Sequence, residues 1–253
     1  MSVIDNQNSV WQSLNWDCHP NIRAGFTLKN TQFPQSFNLA KHVFNEHEQQ
    51  NSIAEVDNNR QYLICQQKLT KPIIWLNQIH SNHCVEANVQ NIGVNADASY
   101  TRLNESICAV LTADCLPIFL ADKNGKEVAI IHGGWRGLLN GVIEQSLALF
   151  KTKHIQAYLG AAIGVNAFEV GIDVRNQFIE KSPQFQTAFA AEHSPGKTMA
   201  NIYQIAHVIL IQNQITDITC EQFCTVTDPK LFSYRQGDKT GRMAHFIWLK
   251  QKN

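Results

Sequence analysis

The chain contains no uninterrupted apolar stretch long enough to cross a bilayer. Its first thirty residues hold Asp5, Asp17 and several Asn and Gln, but no basic segment leading into an apolar one. A secretory leader is therefore not expected, and a cytoplasmic location is. Net charge is also missing, because 21 Lys and Arg balance 21 Asp and Glu. No general field gathers nucleic acid or an anionic membrane, so an anionic substrate has to be held by local cations. Internal repeats, low-complexity tracts and Pro/Gly/Ser-rich linkers are absent too. With 253 residues and 44% hydrophobic content, the expectation is one domain over residues 1–253 with a sizeable core. The seven cysteines are odd in number and follow no leader, which argues for reduced thiols, most of them packed in the core.

What is present begins with short β-rich runs after Pro72: Ile73–Leu76, His83–Ala87, Ala96–Thr101, Ile107–Thr112, Leu116–Ala121 and Val128–Ile131. Asp122-Lys123-Asn124-Gly125 lies between two of them, and Asn-Gly suits the positive φ of a hairpin turn. Helical spacing follows at Leu138, Leu139, Val142, Ile143, Leu147 and Phe150, then near Val174–Ile179 and Met199–Ile211. An earlier helix is expected from about Asn58, and His245–Leu249 returns to strand. Strands and helices mix without strict βαβ alternation, so the expected fold is an α/β layered sandwich with mixed sheets.

Three segments concentrate chemistry: Asn77-Gln78-Ile79-His80, Thr112-Ala113-Asp114-Cys115 and Ile131-His132-Gly133-Gly134-Trp135-Arg136-Gly137. Each would place a potential metal ligand at a strand end, where neighbouring strands can bring His80, Cys115 and His132 together. A mixed His/Cys set suits zinc, and three protein ligands leave a fourth position open, as in a catalytic site. Zinc lowers the pKa of bound water to about 7. Asp114 is a candidate proton carrier or partner of a ligand. Spacing alone leaves a second reading open, in which these are satisfied core histidines and a buried thiol.

These segments, with Ala96-Asp97-Ala98, Cys224-Thr225, Phe232-Ser233-Tyr234-Arg235 and Thr240-Gly241-Arg242, resemble the YfiH-like laccase-domain family from about Gln78 to the C-terminus. The resemblance implies a layered α/β sandwich and zinc held by His80, Cys115 and His132. It also implies phosphorolysis of adenosine, inosine and methylthioadenosine, together with adenosine deamination. On that reading Asp114, Cys115 and Arg136 are the candidate catalytic residues. Asn38, Arg60, Trp135, Arg235 and Arg242 are the candidate substrate residues, with nucleoside and phosphate as partners. The chain departs from the family pattern at Phe26-Thr27-Leu28-Lys29-Asn30, at Gly164-Val165 and at Tyr234-Arg235-Gln236.

Other readings stand beside this one. Cys115 paired with His132 would suit a cysteine hydrolase. Copper in the same ligands would suit a polyphenol oxidase, although a multicopper site needs more paired histidines than these 10 supply. A structural metal, or a cell-wall precursor as substrate, also fits. Trp135 either stacks on a purine or caps the sheet edge. His83 is expected at the surface, and Cys220 and Cys224 in the core.

Overall fold

The computed structural model describes residues 9–43, 49–237 and 240–250. In chain order the elements are β1 (Trp11–Ser13), β2 (Ile22–Thr27), α1 (Gln49–Gln66), β3 (Ile73–Ile74), β4 (Cys84–Glu86) and β5 (Ala98–Thr101). Then come β6 (Ile107–Thr112), β7 (Leu116–Asp122), β8 (Val128–Gly133), α2 (Trp135–Leu139), α3 (Val142–Leu147) and β9 (Ile155–Leu159). The last are β10 (Glu169–Gly171), α4 (Ile172–Lys181), β11 (Lys197–Met199), α5 (Ile202–Gln212), β12 (Ile218–Cys220) and β13 (Met243–Leu249). One mixed sheet has the order β1-β2-β13-β6-β3 and the other β12-β9-β7-β8-β5-β4, with β10 and β11 as a separate ribbon.

Alternation along the strands shows how the layers stack. On β6, Cys108 and Val110 face a core shared with Phe119 and Ala121 of β7 and Val128 and Ile130 of β8. The opposite face of β6 (Ile107, Ala109, Leu111) packs with Leu63 of α1. Leu116, Ile118 and Leu120 of β7 face a core that includes residues of α2 to α5. The order is therefore helix, sheet, sheet, helices, and the expected layered sandwich with mixed sheets is what forms. Because β6, β7 and β8 are buried on both faces, they read in sequence as continuous apolar runs.

Several boundaries differ from expectation. Helix α1 starts at Gln49, nine positions before Asn58. The stretch after Gly134 is broken into α2 and α3 at Gly141, whose φ of 91° lies in the left-handed region. Strands β2 and β9 carry no strong sequence signal, yet both lie inside the sheets. The Asp122–Gly125 turn closes the β7–β8 hairpin as expected, with Ala121 opposite Val128.

His245 of β13 is wholly buried. Its ring stacks on Phe26 at 5.4 Å, and its Nε2 lies 2.8 Å from Thr112 Oγ1. Burial, reinforced by His132, pushes its pKa down to about 3. In the unfolded chain the same imidazole takes a proton near pH 6.5. Below that pH the unfolded state binds the extra proton, so stability is lost as pH falls from about 6.5 towards 3, by about 2 kcal/mol at pH 5. Urea unfolding of the wild type and His245→Asn at pH 7 and pH 5 should show a smaller drop in the variant by that amount. Parallel losses would remove His245 as the cause.

Candidate metal centre and its cleft

His80 and Cys115 lie on two crossings from the first sheet to the second. The chain passes from β3 to β4 through His80, and from β6 to β7 through Cys115. His132 lies in β8, opposite Pro117 and one residue from the Leu116–Gly133 pair, so β8 delivers the third ligand beside the second crossing. This topology makes separations of tens of residues irrelevant. It also corrects one expectation, since His80 does not end a strand but sits in a loop with φ of 60°. His83 is exposed, as expected.

The three potential ligand atoms lie within 4.8 Å of one another. Cys115 Sγ is 3.8 Å from His80 Nε2, and the two imidazole centroids are 4.8 Å apart. Tetrahedral zinc with ordinary bond lengths sets sulfur and nitrogen ligands about 3.6 Å apart, so the group needs only a small contraction to hold a metal. His132 Nδ1 is 2.8 Å from Asp97 Oδ1, which leaves Nε2 as its ligand atom. Burial alone would push the Cys115 thiol up, but His132 and His80 outweigh it and hold the thiol well below its ordinary value. Burial would push His132 down, yet Cys115 and Asp97 raise it. A thiolate beside imidazoles is a donor set that zinc accepts, as does copper.

Asp97 is the residue whose role the sequence did not reveal. It is wholly buried and accepts the backbone N–H groups of Ile79, His80 and Ser81, the Ser81 hydroxyl and His132 Nδ1. One carboxylate thus fixes the His80 loop and orients His132, the outer-shell task for which Asp114 was a candidate. Burial would raise its pKa, but the hydrogen bonds from His132 and Ser81 bring it down to about 2. Gln78 fastens the same loop to β6 by donating to Leu111 O and accepting Leu111 N–H.

Gly134 completes the cradle. A Cβ there would lie 2.6 Å from His80 Cδ2 and 3.3 Å from Cys115 Sγ. Gly134→Ala should therefore displace His80 and weaken any metal binding at this group about tenfold or more. Competition with a zinc chelator measures this, and an unchanged affinity would show that the loop yields without cost.

The ligands open into a cleft of about 480 Å³. Trp135, Phe168 and Tyr234 contribute aromatic faces, and Arg136, Arg235, Arg242 and His42 contribute cations or potential cations. Arg136 lies 4.4 Å over the Trp135 ring. Arg235 donates to Glu169 O, and Arg242 to Thr240 O and Gly241 O. Burial first, then the charges of Arg242, Arg60 and His132, push the His42 imidazole down. The field in the cleft is positive, and His42 had no motif to signal it.

Two candidate substrate residues lie elsewhere. Asn38 is buried and bonds Ala40 through N–H and C=O while accepting Arg242 N–H. Arg60 donates twice to Leu39 O and stacks 3.9 Å from Trp75. Both brace the backbone behind Arg242 and do not line the cleft. Cys224 is half-buried and accepts Gly164 N–H through its sulfur.

A His/Cys/His group that could hold a metal ion, set beside the cleft of a layered α/β sandwich, is the class of site this fold builds. The profile of the family described as multi-copper polyphenol oxidoreductase laccase matches residues 23–250, and the chain belongs to that family. It is 38% identical over 243 residues to a Haemophilus influenzae protein named purine nucleoside phosphorylase, covering 93% of this chain and 97% of the relative. It is 40% identical over 198 residues to Escherichia coli purine nucleoside phosphorylase YfiH, covering 77% and 81%. The crystal structure of Neisseria meningitidis protein NMB0706 superposes with a TM-score of 0.86 at 36% identity, covering 96% of this chain and all of that one. Among the described residues, no helix is long and apolar enough to cross a membrane.

Proposed function

We propose that the protein is a cytoplasmic, zinc-dependent purine nucleoside enzyme that phosphorolyses adenosine, inosine and methylthioadenosine and deaminates adenosine. The observation that carries this is the juxtaposition, in one cleft, of the His80–Cys115–His132 group with aromatic faces and a cluster of cations. The names of the relatives support it. In phosphorolysis a phosphate oxygen attacks the ribose C1′ as the C–N bond breaks and its electron pair leaves with the base. Arg136, Arg235 and Arg242 can bind the phosphate and screen its charge against the cleft. Trp135 and Tyr234 offer flat faces to the base. When bound, zinc supplies a Lewis acid and lowers the pKa of coordinated water, the chemistry deamination requires.

The test is to measure bound metal in the purified protein and to follow inosine and adenosine turnover with and without phosphate and chelator. Phosphate-dependent release of base that stops on zinc removal and returns with zinc is the expected result. Activity that survives complete metal removal would sink the zinc reading, and copper in place of zinc would reassign the metal. Among the described residues the Arg136 guanidinium stacks on Trp135 and makes no hydrogen bond, so Arg136→Ala should raise the KM for phosphate about tenfold or more. Unchanged phosphate kinetics would remove Arg136 from the site.

The depressed Cys115 thiol beside His132 favours one second reading, a thiolate nucleophile. Activity retained in chelator and abolished by alkylating Cys115 would establish it.

A further inference from the structure

Asp114 has a φ of 91°, a left-handed conformation that costs a non-glycine residue strain. Its side chain is fully engaged. Oδ1 accepts the Thr225 hydroxyl at 2.6 Å, and Oδ2 accepts the Arg235 backbone N–H at 2.8 Å. Its own carbonyl accepts Ile163 N–H at 2.9 Å. The residue that precedes candidate metal ligand Cys115 therefore holds three other parts of the chain, one of them the short turn Tyr234–Gln236. Tyr234 and Arg235 line the cleft from that turn, and the Tyr234 side chain is exposed, with no core packing to keep it in place. Three further ties come from the side chains of the turn: the Arg235 guanidinium donates to Glu169 O, the Gln236 amide donates to Val226 O, and Arg242 lies 5.8 Å over the Tyr234 ring.

We infer that Asp114 is a positioning residue whose strained backbone and two carboxylate bonds lock the Tyr234–Arg235 turn onto the Cys115 loop as a fixed wall of the substrate cleft. Strain at a site persists when the surroundings over-determine it, and here the surroundings are Thr225, Arg235 and Ile163. A carboxylate with both oxygens occupied in this way is poorly placed to carry a proton. Its contribution lies in ordering an exposed turn before substrate arrives, which lowers the ordering cost of binding. The kinetic arm of the test rests on the nucleoside reading above, while the structural arms do not.

The experiment compares Asp114→Gly, Asp114→Ala and Thr225→Val with the wild type, each loaded with zinc. The Arg235 amide should exchange slowly with solvent in the wild type and at least about tenfold faster in both Asp114 variants. Asp114→Gly should melt at a higher temperature than Asp114→Ala, because both lose the carboxylate and only glycine takes this φ freely. Zinc stoichiometry should stay the same. With nucleoside as substrate, KM should rise about tenfold with a smaller change in kcat and an unaltered pH profile, and Thr225→Val should show the same pattern more weakly.

Unchanged Arg235 exchange in Asp114→Gly would overturn the lock. An alanine variant that melts at or above the glycine variant would overturn the strain argument. A collapse of kcat with one limb of the pH profile lost and KM unchanged would make Asp114 a proton carrier instead. If the wild type turns over no nucleoside, the functional proposal falls, and amide exchange and melting still judge the lock.

Discussion

Replacing Cys115 with Ser should abolish zinc retention at ordinary zinc concentrations and, with it, nucleoside turnover, while leaving the fold in place. The substitution changes one atom at a half-buried position, so packing is preserved. A protein zinc site gains on the order of 10–16 kcal/mol from about four ligands, or about 3–4 kcal/mol each. Losing the thiolate should therefore weaken binding about 10²–10³-fold. Titration against a chromophoric chelator reads the affinity, and circular dichroism with thermal melting confirms the fold. His132→Ala should lose at least as much affinity and also stability, because it leaves the buried Asp97 without one of its partners at a cost of about 1–3 kcal/mol. Tight zinc binding and full turnover in Cys115→Ser would remove the sulfur from the site and with it the assignment of the metal group.

The candidate ligands His80, Cys115 and His132 were legible through the family resemblance of their segments and not through spacing, and of the three segments only the one around His132 is rich in Gly, Trp and Arg. What positions them was less legible. Asp97 stands between two alanines before a strand, and nothing local signals that His132, Ile79, His80 and Ser81 converge on it, since those contacts depend on two sheets crossing. Asn38 and Arg60 show the converse. Their polar side chains read as substrate contacts, yet they satisfy backbone groups of residues 39, 40 and 242 in a region that makes few regular hydrogen bonds. Strands buried on both faces were readable as apolar runs. Strand β2 was not, because Arg23 and Gly25 interrupt it and its pairing partners, β1 and β13, lie at the two chain ends. The helix break at Gly141 was missed for a related reason, as helical spacing of apolar residues continues across it while the backbone does not.

Asp97→Asn should cost zinc affinity about 10–100-fold, even though the side chain touches no metal. The amide keeps the shape but gains two N–H donors, and every partner of Asp97 is itself a donor: three backbone amides, the Ser81 hydroxyl and His132 Nδ1. Either orientation of the amide sets N–H against N–H. If it faces His132, the imidazole is driven to the tautomer that protonates Nε2, the nitrogen needed for the metal. If it faces the 79–81 backbone, the His80 loop is released from its left-handed turn. Excess zinc should restore much of the turnover, which separates an orienting role from a reacting one, and no recovery at saturating zinc would count against it. The pH dependence gives an independent reading on the metal-free protein. With a folded pKa of about 2 against an ordinary carboxylate near 4, Asp97 contributes stability that is fully present above about pH 4 and is lost as pH falls towards 2. The asparagine variant should lack that acid-side loss while being less stable at neutral pH. Equal stability at pH 7 would show that the carboxylate is not what holds the two histidines in place.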